Sequence, residues 1–141
     1  MSRATRFSVA MHAMALIQRM GERRLSSEMI AESVGTNPSF VRRVLAMLSD
    51  AGLVQSVSGV AGARLARAAA EISLLDVYRA VDMEDEHRLA VHAQPNPRCI
   101  VGRHIQDALD AVIGPAEAAF EAQLKRRSLA DLSSFIAAKA K

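Results

Sequence analysis

Apolar residues recur at helical spacing along most of the chain, and this pattern predicts a series of helices. The first predicted helix extends from Arg6 to Met20. Its apolar residues surround almost the whole circumference, as is typical of a helix that is buried on two sides. We therefore expect it to lie either between two layers of one chain or between two subunits.

Two short helices joined by a tight turn are expected next. The first should begin at Ser26–Ser27, which suit an N-cap, and end at Val34, which a glycine follows. The second should begin at Asn37–Pro38, because asparagine suits the cap and proline the first helical position, and continue to about Ala51. This arrangement is the helix-turn-helix pattern, whose second helix enters the major groove of DNA.

Two extended runs directly follow the helix-turn-helix. Residues 53–57 and 63–65 are expected to form a β-hairpin whose tip extends from Ser58 to Arg64. A hairpin in this position is a wing. A further helix, capped by Ser73, should cover the next apolar run.

The C-terminal half is expected to be helical after a polar, proline-containing linker. The apolar pattern resumes over residues 100–127, where Gly114–Pro115 should kink or interrupt the helix, and Ser128 should cap a last helix. The sequence thus predicts a mainly α fold with a small β-hairpin wing. Its expected parts are a winged helix-turn-helix domain at 1–82, a linker at 83–99 and dimerisation helices at 100–141.

Charge changes this picture because it is unevenly distributed. Residues 1–70 contain nine arginines and four acidic residues, a net charge of +5, whereas residues 71–141 have a net charge of −2. Arginine presents a planar fork that suits phosphates and guanine edges. Double-stranded DNA is therefore the expected partner, although a modest positive charge alone is common in proteins that bind no nucleic acid.

The candidate DNA-binding residues lie outside the apolar stripes of the two short helices and in the wing. Arg42 and Arg43 are the main candidates, with a solvated helix face as the alternative interpretation. Arg23 and Arg24 are weaker candidates for phosphate contacts. The full candidate set is Ser27, Thr36, Asn37, Ser39, Arg42, Arg43, Ser58 and Arg64.

The strings that carry these features also resemble a known family. Together, and in this order, they are similar to the Rrf2 family of bacterial winged helix-turn-helix transcriptional regulators. Each string is weak alone, but their order and spacing are specific. They are Ile30–Glu32, Thr36–Pro38, Val41–Leu45, Leu48, Ala51–Val54, Ile72–Val81, Asn96–Gly102 and Leu129–Leu132.

The resemblance implies a homodimer whose long C-terminal helix packs against its partner, with the wings flanking DNA. The broad apolar face of residues 100–127 agrees with this expectation; coverage by the last helix of the same chain is the alternative. The family's wing usually carries an arginine before its tip, where this chain has Ser58. The expected dimerisation residues are Val101, Ile105, Ala108, Leu109, Val112, Ile113 and Phe120.

Cys99 is the single cysteine of the chain. Cluster-binding members of the family supply three closely spaced cysteines, so an iron–sulfur cluster of that type is excluded and no cofactor is expected. Mixed ligation by Cys99 and His12 is a weak metal hypothesis. A redox-responsive thiol is a further one, because Cys99 precedes a predicted helix and has cationic neighbours. The alternative is a small residue with no sensing role.

Other functions and locations find less support. No catalytic motif is present, so we do not expect an enzyme. No apolar run approaches the roughly 20 residues of a membrane span, no secretory leader is evident, and a single cysteine suits a reducing compartment. The expectation is a cytoplasmic transcriptional repressor without membrane partners. The alternatives are a protein-interaction module that has lost DNA binding and a metal or redox sensor.

Overall fold

The computed structural model describes residues 2–57, 60–82 and 92–141. The described residues are mainly helical, with one antiparallel two-stranded sheet, so the predicted fold class is confirmed. A short 3-10 helix, Ala69–Glu71, precedes the fourth α-helix. The other elements are α1 (Arg3–Met20), α2 (Ser27–Val34), α3 (Pro38–Asp50), β1 (Val54–Val57), β2 (Val60–Leu65), α4 (Leu74–Val81), α5 (Ile100–Lys125) and α6 (Leu129–Lys139).

Local capping sets the bounds of α2 and α3, and both agree with the prediction. The Ser26 hydroxyl accepts the N–H of Met29 at 3.2 Å, and the side-chain amide oxygen of Asn37 accepts the N–H of Phe40 at 2.8 Å. Gly35 ends α2 in the left-handed conformation, at φ 80°, which glycine adopts at little cost. The bounds of these two helices are therefore set by short-range contacts within their own segment.

Helix α1 is longer than predicted but has the predicted surroundings. It begins at Arg3 rather than Arg6, because Ser2 caps it by accepting the N–H of Thr5. Buried residues on one side pack with α2, α3 and α4, while α6 contacts another side. The apolar circumference of α1 thus reflects a position between two layers of the same chain.

Strand β2 begins earlier than predicted, at Val60 rather than at Ala63. In the sheet, Gln55 pairs with Arg64 and Ser56 pairs with Ala63, and a bulge follows Ser56. Arg64 consequently lies in the paired part of β2, and the prediction that it belongs to the tip is wrong. Ser58, the predicted tip residue before the glycine, lies outside the described residues.

The chain forms two compact units, residues 1–83 with 124–141 and residues 84–123. Helix α6 belongs to the first unit, whereas the sequence analysis grouped it with α5. The first residue of α6, Leu129, is fully buried, and its N–H donates to the carbonyl oxygen of Ile72 at 2.9 Å. This bond positions the start of the helix. Ser133 of α6 also hydrogen-bonds Gln18 of α1.

The prediction was a kink or an interruption at Gly114–Pro115, and helix α5 is continuous from Ile100 to Lys125, so these residues do not interrupt it. A proline inside a helix removes one backbone hydrogen bond. The next four residues, Ala116–Ala119, are three alanines and a glutamate, which strongly favour helix. They allow the helix to continue past the proline.

Candidate nucleic-acid interface

The first half of α3 presents two arginines on its exposed side. Arg42 and Arg43 are both exposed, while Val41 and Val44 on the same helix are fully buried in the core. The core contacts fix the rotation of α3, and this rotation directs the two cations to the surface. The expectation that the pair faces outward is met.

The turn before α3 combines structural and surface roles. Asn37 is exposed, yet its carbonyl oxygen is committed to the N-cap, so its amide N–H groups are the ones that remain for a ligand. Ser39 is exposed on the first turn of α3, and Thr36 is half-buried in the turn itself. Asn37 and Ser39 thus lie at the end of the helix that a helix-turn-helix presents to base edges.

An ion pair that the sequence analysis missed joins α2 to α3. The Nη2 of Arg42 donates to Oε1 of Glu28 at 2.7 Å, and both side chains remain more than half exposed. The backbone N–H of Glu28 and then Arg42 hold the pKa of the Glu28 carboxyl below its ordinary value. No local pattern indicates this contact, because the two residues are 14 positions apart and meet only when the helices cross.

Arg43 is placed differently from Arg42. Its guanidinium carbon lies 5.7 Å from the ring centroid of Phe40, one turn earlier on α3. Phe40 is itself buried in the core. The guanidinium therefore lies within the range of a cation–π interaction with the aromatic ring.

A cavity of about 240 Å³ lies between α2, α3 and the wing. Ser27 and Arg42 line it from the helix-turn-helix, and Ser56 lines it from β1. Ser27 is half-buried as the first residue of α2. The rest of the lining is largely apolar and Arg42 is paired with Glu28, so the Ser27 hydroxyl is the group suited to a DNA phosphate.

The wing is fastened to the segment that connects α1 and α2. Leu25 forms a bridge with Ala63, with N–H···O distances of 3.3 and 2.9 Å, and Nη1 of Arg24 donates to the carbonyl oxygen of Gly62 at 3.3 Å. Gly62 has φ 105°, and a Cβ there would lie 2.7 Å from the Cβ of Arg24. Arg24, considered only for phosphate contact, thus holds the wing in place.

Arg64 remains available at the surface of β2. It is exposed, and its Nε donates to Oε1 of Gln55 on β1 at 3.3 Å. This bond orients the guanidinium across the paired strands. Arg64 therefore stays a candidate for phosphate contact from the body of the wing.

Cys99 lies in the second unit, directly before α5, and is exposed. The backbone N–H groups of Gly102 and then Val101 donate to its sulfur and hold the pKa of the thiol below its ordinary value. A helix N-terminus favours thiolate in this way. The cause is the helix start, as expected, and not the cationic neighbours.

The dimerisation candidates all lie on α5. Val101, Val112 and Phe120 are exposed by 62%, 71% and 40%, values that leave large apolar side chains in solvent. Ala108 is also exposed, whereas Ile105 and Leu109 are half-buried and Ile113 is buried. The exposed members are spread along the helix.

His12, the other weak metal candidate, is exposed and bonds to the Ser33 hydroxyl at 2.9 Å. Within residues 2–57, 60–82 and 92–141, no cluster of three or more His, Cys, Asp or Glu side chains could hold a metal ion. In the same part, no helix has the length and apolar character needed to cross a membrane.

These features define a winged helix-turn-helix regulator. The Rrf2 family model, described as iron-dependent transcriptional regulator, matches residues 3–134, and the chain belongs to this family. This family is one of transcriptional regulators rather than enzymes, and the corresponding prediction is confirmed.

Individual relatives agree with the family assignment. A Bacillus subtilis protein with the provisional name HTH-type transcriptional regulator YwnA is 44% identical over 132 residues, covering 94% of this chain and 97% of the relative. A crystal structure described provisionally as a DNA-binding protein is 42% identical, with a TM-score of 0.72 over 90% of this chain and 97% of that one. CymR of B. subtilis, a global cysteine regulator, shares the fold at 21% identity, with a TM-score of 0.68 over 92% and 94% of the two chains.

Proposed function

We propose that this transcriptional regulator is a cytoplasmic, sequence-specific DNA-binding repressor that recognises a palindromic operator as a homodimer. The observation that carries the proposal is the exposure of Arg42 and Arg43 on a helix whose opposite side is locked in the core. Recognition helices dock their N-terminal halves in the major groove in this way. A dimer occupying adjacent grooves would exclude other proteins from the same DNA, which is the basis of repression.

Three surfaces support the DNA-binding part of the proposal. The start of α3 supplies base-reading groups, the Ser27 hydroxyl at the start of α2 is suited to a phosphate, and Arg64 offers a cation from the wing. Helix α5 supports the dimeric part, because Val101 and Val112 are too exposed for a helix that functions alone. In such a dimer, each recognition helix and its wing would bind one of the two DNA half-sites.

The test is a gel-shift assay at physiological salt on DNA selected from a random library. We expect Arg42→Ala combined with Arg43→Ala to weaken binding by about 100-fold or more, since base and phosphate contacts are lost together. Lys125→Ala combined with Arg126→Ala removes the same charge at the end of α5 and should preserve affinity. Equal affinity of wild type and the Arg42/Arg43 variant would refute the assignment of α3.

A redox-responsive mode is a second proposal, supported by the lowered pKa of the Cys99 thiol and its exposure. With peroxide, the thiolate sulfur would attack one oxygen, forming a sulfur–oxygen bond while the oxygen–oxygen bond breaks and hydroxide leaves. The sulfur loses two electrons and becomes a sulfenic acid. At the start of the dimerisation helix, this change would alter the association of two chains.

Two measurements test the thiol. The alkylation rate of Cys99 should rise with pH around a lower midpoint in the folded protein than in urea, because unfolding removes the two N–H donors. Peroxide should then change the operator affinity of wild type and leave Cys99→Ser unaffected. Identical midpoints, or equal responses of both proteins, would eliminate this mode.

The rival function is a protein-interaction module without DNA binding, which the departure at Ser58 favours. A fluorescence titration with random duplex at low salt separates the two proposals. Arginine-rich surfaces bind any duplex under these conditions. Absence of binding would support the interaction module.

A further inference from the structure

The ion pair between Glu28 and Arg42 is unusual in its place, because it puts a carboxylate on the surface proposed to face DNA. The 2.7 Å contact joins the first turn of α2 to the first half of α3. Exposed pairs of this kind contribute little to stability. The pair therefore bears on the orientation of Arg42 more than on stability.

Glu28 is well suited to hold an arginine in one direction. Its carboxylate is anchored on the first turn of α2, where its own backbone N–H donates to it and the helix dipole favours negative charge. The turn of helix below it is closed by the cap at Ser26. The carboxylate thus contacts its own helix start as well as Arg42.

Arg42 retains donors after this contact. A guanidinium carries five N–H groups, and one from Nη2 is committed to Oε1 of Glu28. The others suffice for a bidentate contact with O6 and N7 of a guanine. An arginine held on one edge presents its remaining edge in a restricted direction, which lowers the entropy lost when it meets the base.

The carboxylate also acts on DNA directly. A negative charge near phosphates opposes binding to any sequence, so Glu28 costs non-specific affinity. The same charge penalises rotation of Arg42 away from it toward a phosphate. Both effects favour base contact over backbone contact.

We propose that Glu28 is a positioning residue that directs Arg42 to a guanine, so that this site gains base specificity at the expense of general DNA affinity. The inference rests on the proposed DNA-binding function. It names the base class, guanine, that the arginine would contact. It differs from a structural role, which would change affinity for all sequences in the same direction.

The experiment begins with the wild type and Arg42→Ala, each used to select bound DNA from a random library. The position whose guanine preference disappears in Arg42→Ala is the one that Arg42 reads. Glu28→Gln is then compared with wild type on duplexes that differ only at this position. We expect the guanine preference to fall about fivefold or more, because part of a bidentate discrimination is lost. Affinity for random duplex at low salt should rise.

Two variants serve as controls. Glu32→Gln removes an equal charge from the same helix at an exposed residue, and should leave the guanine preference unchanged. In the Arg42→Ala background, Glu28→Gln should have no further effect on preference, since its target is gone. A double-mutant cycle of this form isolates the coupling of the two residues.

The outcomes separate this inference from the proposed function. The inference fails if Glu28→Gln keeps the wild-type guanine preference, if it weakens all sequences equally, or if Glu32→Gln has the same effect. In these cases the wild type still selects an operator, and the proposed function stands. If the wild type selects no sequence, both fail together.

Discussion

At the scale of single residues, Asn37 shows how one side chain can serve the fold and the site together. Its side-chain amide oxygen accepts the N–H of Phe40 at 2.8 Å and so caps the start of α3. Its two amide N–H groups point away from this bond and can donate to a base or phosphate acceptor. The geometry of the cap thus decides which end of the amide is presented outward.

Replacing Asn37 separates these roles. Asn37→Ala should lower the free energy of unfolding by about 1 kcal/mol through loss of the cap, and should weaken operator binding. Asn37→Ser keeps a capping oxygen, so stability should return while the amide contact stays absent. Urea unfolding and operator titration of the three proteins check this. Full recovery of DNA binding in Asn37→Ser would show that only the cap matters.

The distance along the chain between two contacting residues explains which contacts could be predicted from the sequence. Ser26 and Asn37 were predicted as caps because a capping side chain and the backbone N–H that donates to it lie within three residues of each other. Glu28 was missed because its partner, Arg42, becomes a neighbour only through the crossing of two helices. Arg24 was considered only for phosphate contact. Its bond to the carbonyl oxygen of Gly62 was missed because it depends on where the wing folds back.

At the scale of elements, the wing is positioned by contacts outside its own hairpin. Ala63 bonds to Leu25 on one side and pairs with Ser56 on the other. Gly62 allows this approach, since the backbone beside Arg24 leaves no room for a Cβ. Leu25, which lies just before α2, is therefore bridged to the outer edge of the hairpin and holds the wing against this segment.

Gly62→Ala should displace the wing. The new Cβ would lie 2.7 Å from that of Arg24, so the strands must shift. We expect operator affinity to fall about tenfold, equivalent to roughly 1.4 kcal/mol. Gly21→Ala is the matched control, because φ is also positive there but nothing lies within 4 Å. Its cost should be confined to stability, measured by thermal unfolding. Equal loss of DNA affinity in both variants would contradict a specific role of the Gly62 contact.

The position of α6 shows that an apolar pattern predicts a helix but not the element against which it packs. The apolar spacing of Leu129 and Leu132 identifies a helix with one buried side but does not specify its neighbour. The structure supplies the neighbour through the backbone bonds between residues 72–74 and 127–129. Pairings between distant segments of this kind have no local signature. The division of the C-terminal half was therefore the least predictable part of the fold.

At the scale of the whole molecule, charge predicts how binding depends on salt. The nine arginines of residues 1–70 include the pair on α3. Phosphate contacts release counterions, so affinity should fall as salt rises, and log affinity should decrease linearly with log salt concentration. The Arg42→Ala, Arg43→Ala variant should give a shallower slope. A slope near zero for the wild type would exclude a phosphate-based interface.

Association of two chains through α5 would bury apolar side chains that are exposed in one chain. Val112 is 71% exposed on α5, and a charge placed there would be buried without a partner if two α5 helices pack together. Val112→Glu should therefore convert a dimer to a monomer in sedimentation velocity, whereas Gln123→Glu, an exposed polar position on the same helix, should remain dimeric.

The DNA consequence distinguishes association from simple misfolding. A folded Val112→Glu monomer should bind a single half-site as well as a wild-type subunit does, because α3 is intact. It should lose the added affinity for a palindrome, whose half-sites are about 34 Å apart, one turn of the double helix. A dimeric Val112→Glu protein would place the interface elsewhere. A monomer with undiminished palindrome affinity would show that operator recognition does not depend on pairing, since two tethered helices gain affinity only while they are joined.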